Sequence, residues 1–259
     1  MELLKIILVT FAAGMGAGIG TGLAGLSAAA VISPMLITLL DYPAYEAVGI
    51  ALASDVLASA ASAWTYHKNK NLDIKNGIVM MMSVIAFTLL GSYLGSFIPH
   101  STMGNFSIFG TFILGIRFIV KPVMKTESKM MTIERKKAII YSIVNGAMVG
   151  LVCGIMGAGG GMMMLMVLTS VLGYELKTAV GTSVFIMTFT AFTGSVSHFA
   201  INGGISSPLI LVLCIIFTLL GAAVSAKFAN MATPKTLNRV VGIGLTLISA
   251  AMLAVSFIK

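Results

Sequence analysis

Charge is what this chain has least of. Of 259 residues, only 9% are Asp, Glu, Lys or Arg, 16 basic and 8 acidic, while 58% are hydrophobic. Mean hydropathy is +1.04, far outside the range of water-soluble domains, which need a charged surface that this composition does not supply. A separate soluble domain is therefore excluded. Cysteine is equally scarce: Cys153 and Cys214 lie inside apolar runs without CxxC or His spacing, which excludes a disulfide framework and a zinc site and leaves two free thiols. No Walker motif, HExxH, GxSxG or pair of intramembrane acids occurs, so neither ATP hydrolysis nor a membrane enzyme finds its parts here, and no cofactor is implied. The net charge of +8 does not signal nucleic acid, because the basic residues sit between apolar segments instead of on one face of a helix.

What is present is a series of apolar runs, at about 4–40, 46–66, 76–98, 103–121, 137–172, 178–200, 206–229 and 237–258. This predicts an all-α polytopic protein whose solvent is the lipid bilayer. The first stretch, MELLKIILVTFAAG, has the charge and length of a signal peptide, but it is read as retained because it belongs to an internal repeat. The 4–40 and 137–172 runs exceed one crossing of a hydrocarbon core of about 30 Å and must fold back. Glycines at 22–25 and 157–161 mark where.

Sliding the chain on itself by 132 positions pairs Gly14 with Gly146, Gly18 with Gly150, Gly22 with Gly154, Gly25 with Gly157 and Tyr42 with Tyr174. The same shift pairs AlaValGly at 47–49 with AlaValGly at 179–181, and PheThrLeuLeuGly recurs at 87–91 and 217–221. Two membrane repeats, 1–120 and 137–259, joined by a cytoplasmic linker at 121–136, follow from this self-similarity. Counting each long run as a hairpin gives each half an odd number of crossings, so the halves are inverted. Lys68, Lys70, Lys75, Lys177, Lys227, Lys235, Arg239 and the basic linker then share one side, while Lys5 and Lys259 share the other. Under the positive-inside rule this predicts a multi-pass protein of a bacterial or archaeal cell membrane with both termini outside.

Inverted repeats with broken segments are a transporter architecture, in which helix ends meet near the midplane around a substrate. Irregular backbone at that depth is tolerated only where it is buried in protein or lines a cavity. A helix N-terminus exposed by a break favours an anion. The expected substrate site therefore takes Gly25, Ser27 and Ser33 from the first half and Gly159, Gly160, Gly161 and Met162 from the second. Thr182 and Ser183, directly after the repeated AlaValGly, add hydroxyl donors. Gly14, Gly18, Gly22, Gly146, Gly150 and Gly154 fit close helix packing better than a site.

Asp55 falls halfway along the 46–66 segment, where a carboxylate is costly and usually functional. It is the candidate coupling group for a proton or other ion; the structural alternative is a neutral Asp bonded to Ser54, Ser59 or a neighbouring helix. Its repeat partner is Met187. Thr188, Thr190 and Thr193 are expected to bond their own helix. His67 and His198 are expected to cap helix ends at the interface, with Trp64, Tyr66 and Asn202 as interfacial anchors. Arg117 and the linker bases are sufficiently explained as topology signals. The consecutive Met80–Met82 and Met162–Met164 point in different directions and do not make a metal site.

These residues resemble the TauE/SafE sulfite exporter family, also called the TSUP anion permeases. The resemblance spans nearly the whole chain and is strongest at GAGGG in 157–161, AlaValGlyThrSer in 179–183 and HisLysAsnLysAsnLeuAsp in 67–73. It implies a secondary carrier of small sulfur-containing anions or organic acids, such as sulfite, thiosulfate or sulfoacetate. The chain departs from the family pattern at LeuSerAla in 26–28, where glycines are usual, and at Met166, which stands opposite Pro34. An anion channel, or a carrier of a non-sulfur organic acid or a metal, is the competing reading.

Overall fold

The computed structural model describes residues 2–99, 134–157 and 160–233 continuously, together with scattered positions in 109–120 and 235–254. The runs at 103–121 and 237–258, Arg117, most of the linker and Gly159 therefore lie wholly or largely outside the described residues. Among the described residues all regular structure is helical: α1 (Glu2–Ala24), α2 (Ala29–Leu40), α3 (Ala44–Lys68), α4 (Ile74–Gly95), α5 (Arg135–Met156), α6 (Gly160–Met166, continued as a π turn over Val167–Val171), α7 (Leu176–Asn202) and α8 (Pro208–Met231). Six of these, all but α2 and α6, are long and apolar enough to cross a membrane. Arg135 and Lys136, at the end of the linker, form the first turn of α5.

Local chemistry explains where the helices stop. Asp73 begins α4 as an N-cap, its carboxylate accepting from the Asn76 amide at 3.1 Å. Pro208 stands at the first position of α8, where its missing N–H costs nothing. The 4–40 run resolves into α1, a non-helical stretch from Gly25 to Ala28, and α2 of 12 residues. At 1.5 Å per residue α2 is about 18 Å long, roughly half of a hydrocarbon core. α5 ends in the same way, at Gly157 with φ 64°, a left-handed conformation that side chains other than glycine rarely adopt. Gly25 has φ 62°.

The helices pair most extensively as α1 with α8, α4 with α5 and α3 with α7. The first two pairs are built from small residues. A Cβ on Gly18 would run into the Thr218 carbonyl and lie 2.7 Å from the Ala222 amide; one on Gly150 would run into the Val84 carbonyl and lie 2.9 Å from Phe87 Cβ. The contacts advance together along both chains, from Gly14 against Thr218 to Gly22 against Ser225, and from Gly146 against Met80 to Gly154 against Ser92, so each pair is parallel. Hydroxyls cross both interfaces: Ser225 donates to the Gly18 carbonyl at 3.2 Å and Thr88 to the Gly150 carbonyl at 3.3 Å. Close backbone approach with interhelical hydrogen bonds is how helices associate where apolar burial gives little driving force.

α3 and α7 form the centre and run antiparallel: Tyr45 at the start of α3 stacks on His198 near the end of α7, with ring centroids 4.1 Å apart, while Gly181 at the start of α7 packs on Tyr66. The outer faces carry Leu8, Phe11, Leu89, Phe192, Leu220 and Phe228, all exposed. Such a surface suits acyl chains and would be an aggregation hazard in water.

Candidate functional site: two chain breaks around a buried carboxylate

The two non-helical breaks lie against each other. Ser27 Oγ donates to the Gly157 carbonyl at 3.0 Å across 130 residues of chain. Gly161 sits so close that a Cβ there would run into the Gly25 carbonyl, 2.7 Å from the Ser27 amide and 2.6 Å from Met187 Sδ. A Cβ on Gly25 would collide with Ser183 Oγ. Gly157 packs on Val48 and Ala29. Gly161 is required by the backbone that approaches it, whereas Gly25 and Gly157 also carry positive φ, a reason distinct from the packing role of Gly14 to Gly22.

Asp55 faces this junction from the middle of α3 and is fully buried. One carboxylate oxygen accepts the Ala28 amide at 3.0 Å; the other accepts Ser59 Oγ at 2.9 Å and Thr21 Oγ1 at 3.4 Å. The single Thr21 proton is shared between Asp55 and the Leu26 carbonyl, which is nearer at 2.8 Å and ties the end of α1 to the break. The Ala28 amide belongs to the unsatisfied donors at the head of α2, so Asp55 caps that helix from another segment of the chain. Among the described residues no cation pairs with the carboxylate.

Of the residues expected at the site, Gly25, Ser27, Gly161, Ser183 and Asp55 come together. Gly160 packs on Cys153, Met162 is buried, and Ser33 on α2 is buried with no partner for its hydroxyl. Gly159 lies outside the described residues. Thr182 is turned away from the breaks: its Oγ1 accepts from the Asp73 amide at 3.1 Å, because its place on α7 faces the α3–α4 loop. Thr188, Thr190 and Thr193 donate to the carbonyls of Val184, Ile186 and Phe189 on their own helix. Ser54 does likewise toward Ile50, leaving Ser59 as the α3 hydroxyl that meets Asp55.

Two interfacial assignments change. His198 is fully buried, with its ring nitrogens 3.2 Å from the Tyr45 carbonyl and 2.8 Å from the Gly154 carbonyl. Both neighbours are acceptors, so a neutral ring donates to only one of them at a time. Tyr66 is buried and donates to the Gly22 carbonyl at 3.1 Å. In both cases a helix end that faces solvent in a simple span is covered by neighbouring helices. Trp64 and His67 remain exposed, as expected.

Polar contacts tie the described helices together at both ends. At one end, beside Lys68, Lys70, Lys75 and Lys177, Tyr174 donates to Asp73 at 3.0 Å and Lys177 Nζ to the Asn230 carbonyl at 2.7 Å. At the other, Glu46 accepts the Ser206 amide and hydroxyl, both at 2.7 Å, and the Tyr42 hydroxyl at 3.4 Å. Tyr42 and Tyr174 are the tyrosines paired by the 132-residue shift, and each follows a short helix. Burial, and next the adjoining carboxylate, raise both phenols above their ordinary pKa. Thr21, Glu46, Tyr66 and Ser206 escape sequence reading because their partners are far away in the chain. The one available signal was Glu46 itself, an acid opening an apolar helix.

With this geometry in view, comparison with known proteins gives a consistent picture. The family described as sulfite exporter TauE/SafE matches residues 10–252. The probable membrane transporter protein YdhB of Bacillus subtilis is 25% identical over 87% of this chain and 90% of its own length. YunE of the same organism, also called a probable membrane transporter protein, is 27% identical over 74% of this chain and 77% of its own. A further probable membrane transporter protein, from Methanocaldococcus jannaschii, is 24% identical over 83% of both chains. No solved structure matches. With nearly its whole length matched, the chain belongs to the sulfite exporter TauE/SafE family.

Proposed function

We propose that the protein is a secondary carrier of small anions, working by alternating access, with the anion held where the two breaks meet and its movement coupled to a proton on Asp55. The substrate class, sulfur oxyanions or organosulfonates such as sulfite, thiosulfate or sulfoacetate, follows the family description. The relatives' names as probable membrane transporters support carriage across a membrane. Two inverted halves are supported by the way the helices exchange partners: under the 132-residue shift α1 becomes α5 and α8 becomes α4, and the α1–α8 contact maps onto α5–α4. The same reading sets the basic end in the cytoplasm and both termini outside the cell membrane.

The observation that carries the coupling is the bond from the Ala28 amide to Asp55. An ionised Asp55 holds the donor and the positive helix end that an anion would use. Two negative charges about 4 Å apart at an effective dielectric constant of 20 repel by about 4 kcal/mol. That lowers anion affinity by roughly a thousandfold. Protonating Asp55 removes the repulsion and frees the Ala28 amide, so proton and anion bind together.

The test uses proteoliposomes holding wild type or Asp55→Asn, radiolabelled sulfite, thiosulfate or sulfoacetate, and an imposed pH gradient. The expected result is saturable uptake driven by the gradient in wild type. Asp55→Asn loses gradient-driven accumulation and keeps counterflow of the same anion. Gradient-driven uptake surviving in the mutant removes Asp55 from coupling, unsaturable flux points to a channel, and no flux of any of the three anions overturns the substrate class.

A further inference from the structure

Buried polar side chains on α3 are not confined to Asp55. Ser59, Ser62 and Tyr66 follow it at intervals of four, three and four residues, which places all four side chains on one face of the helix. Each is 1% exposed or less. Ser59 donates to Asp55 at 2.9 Å. Tyr66, on the last turn before Lys68, donates to the Gly22 carbonyl at 3.1 Å, one residue from Thr21, the other hydroxyl on Asp55. Between them Ser62 Oγ is buried with no partner.

A buried hydroxyl without a partner is costly, and buried polar groups are ordinarily satisfied by protein or by ordered water. Cβ atoms three or four apart on a helix stand about 5–6 Å from each other, a gap that one bridging water spans. The corresponding positions on α7 are Met187, Ala191, Gly194 and His198, where the first three offer no proton donor and only the weak thioether acceptor of Met187. This face is therefore polar in one half of the chain only.

We infer that the Ser59, Ser62 and Tyr66 face of α3 is the path by which protons reach Asp55, and that it opens at the end carrying Lys68, Lys70 and Lys75. The inference rests on the proton-coupled reading of Asp55. Each hydroxyl passes its own proton toward the carboxylate and takes another from behind. No hydroxyl changes charge, and the balance is one proton taken from water at that end and bound to Asp55. The groups facing Asp55 are Thr21 of α1, the Ser27 hydroxyl and Ala28 amide of the first break, Ser59 of α3 and the Cys153 thiol of α5. Of these, only the Ser59 side leads on to further hydroxyls along the helix.

The whole purified protein, after a pH jump, is followed by time-resolved infrared absorption of the protonated carboxyl band, assigned to Asp55 by its loss in Asp55→Asn. Ser62→Ala is the informative variant. As a structural change it removes a hydroxyl that has no partner and leaves the thermal unfolding midpoint unchanged or higher. As a break in the path it slows appearance of the band by on the order of tenfold or more. Ser62→Thr restores the rate, and Tyr66→Phe slows it as Ser62→Ala does. A wild-type rate in Ser62→Ala, with the Asp55 band intact, overturns the path and leaves Asp55 as the proton site. The absence of any band that Asp55→Asn removes overturns the reading of Asp55 itself, and the path with it.

Discussion

The proposed alternating access requires that the two ends open one at a time, and the Glu46 contact is the place to weigh that. Ser206→Ala deletes one of two short bonds to Glu46 and keeps the other, from the Ser206 amide. Hydrogen bonds to a charged group contribute about 1.5–3 kcal/mol net. Glu46 is buried but Ser206 is exposed, so water competes for the serine and the lower end applies. About 1.5 kcal/mol shifts a two-state equilibrium by roughly tenfold. The population open toward the Ser206 end thus rises about tenfold while it remains the minor state. The assay is labelling of a single cysteine, Ser27→Cys, in a Cys153→Ala, Cys214→Ala background, by a membrane-impermeant thiol reagent added from one side at a time. Ser206→Ala should speed labelling from its own end and leave it unchanged or slower from the basic end; Tyr174→Phe should do the reverse. Unchanged rates in both variants, or acceleration from the wrong end, would refute the assignment of these contacts as gates.

The glycine interfaces give a prediction of opposite sign to helix propensity. Gly18→Ala and Gly150→Ala each gain about 1 kcal/mol from propensity. They lose more to backbone atoms that cannot move aside, since overpacking costs about 1–3 kcal/mol, so both should lower the thermal midpoint in detergent; a rise would show that the helices separate freely. Tyr174 supplies a pH test. Its pKa is raised by burial and by Asp73, so its contribution is fully present below the ordinary tyrosine value of about 10 and is lost as pH rises through the higher folded value. The difference in midpoint between wild type and Tyr174→Phe should stay constant across neutral pH and shrink only under strongly alkaline conditions; a change near neutrality would contradict the sign.

Legibility in the sequence followed the range of the signal. The apolar runs, the fold-back of the 4–40 stretch and the packing role of Gly14, Gly18 and Gly22 could be read because each is set by residues a few turns apart. Gly25, Ser27 and Gly161 could be grouped because the repeat brought their segments into register. Thr182 could not be placed, since whether its hydroxyl meets the breaks or the Asp73 amide depends on how the α3–α4 loop folds over α7. Tyr66 and His198 differ from the interfacial expectation for a related reason. A helix end looks interfacial along the chain, and only packing by other helices reveals that it is covered.

The repeat also explains why the buried carboxylate has no twin. Under the 132-residue shift Asp55 becomes Met187, Thr21 becomes Cys153, Ser59 becomes Ala191 and Ala28 becomes Gly160. The carboxylate and both of its hydroxyl donors are thus replaced together by groups with weak or no hydrogen bonding. An acid at position 187 would be buried beside Gly161 with neither hydroxyl donor, and an isolated buried carboxylate costs far more than a paired one. The glycines, by contrast, are kept in both halves, because the parallel helix pairs need them equally. Packing holds the two halves to one shape, while the polar chemistry, which needs a complete set of partners or none, is concentrated in the first.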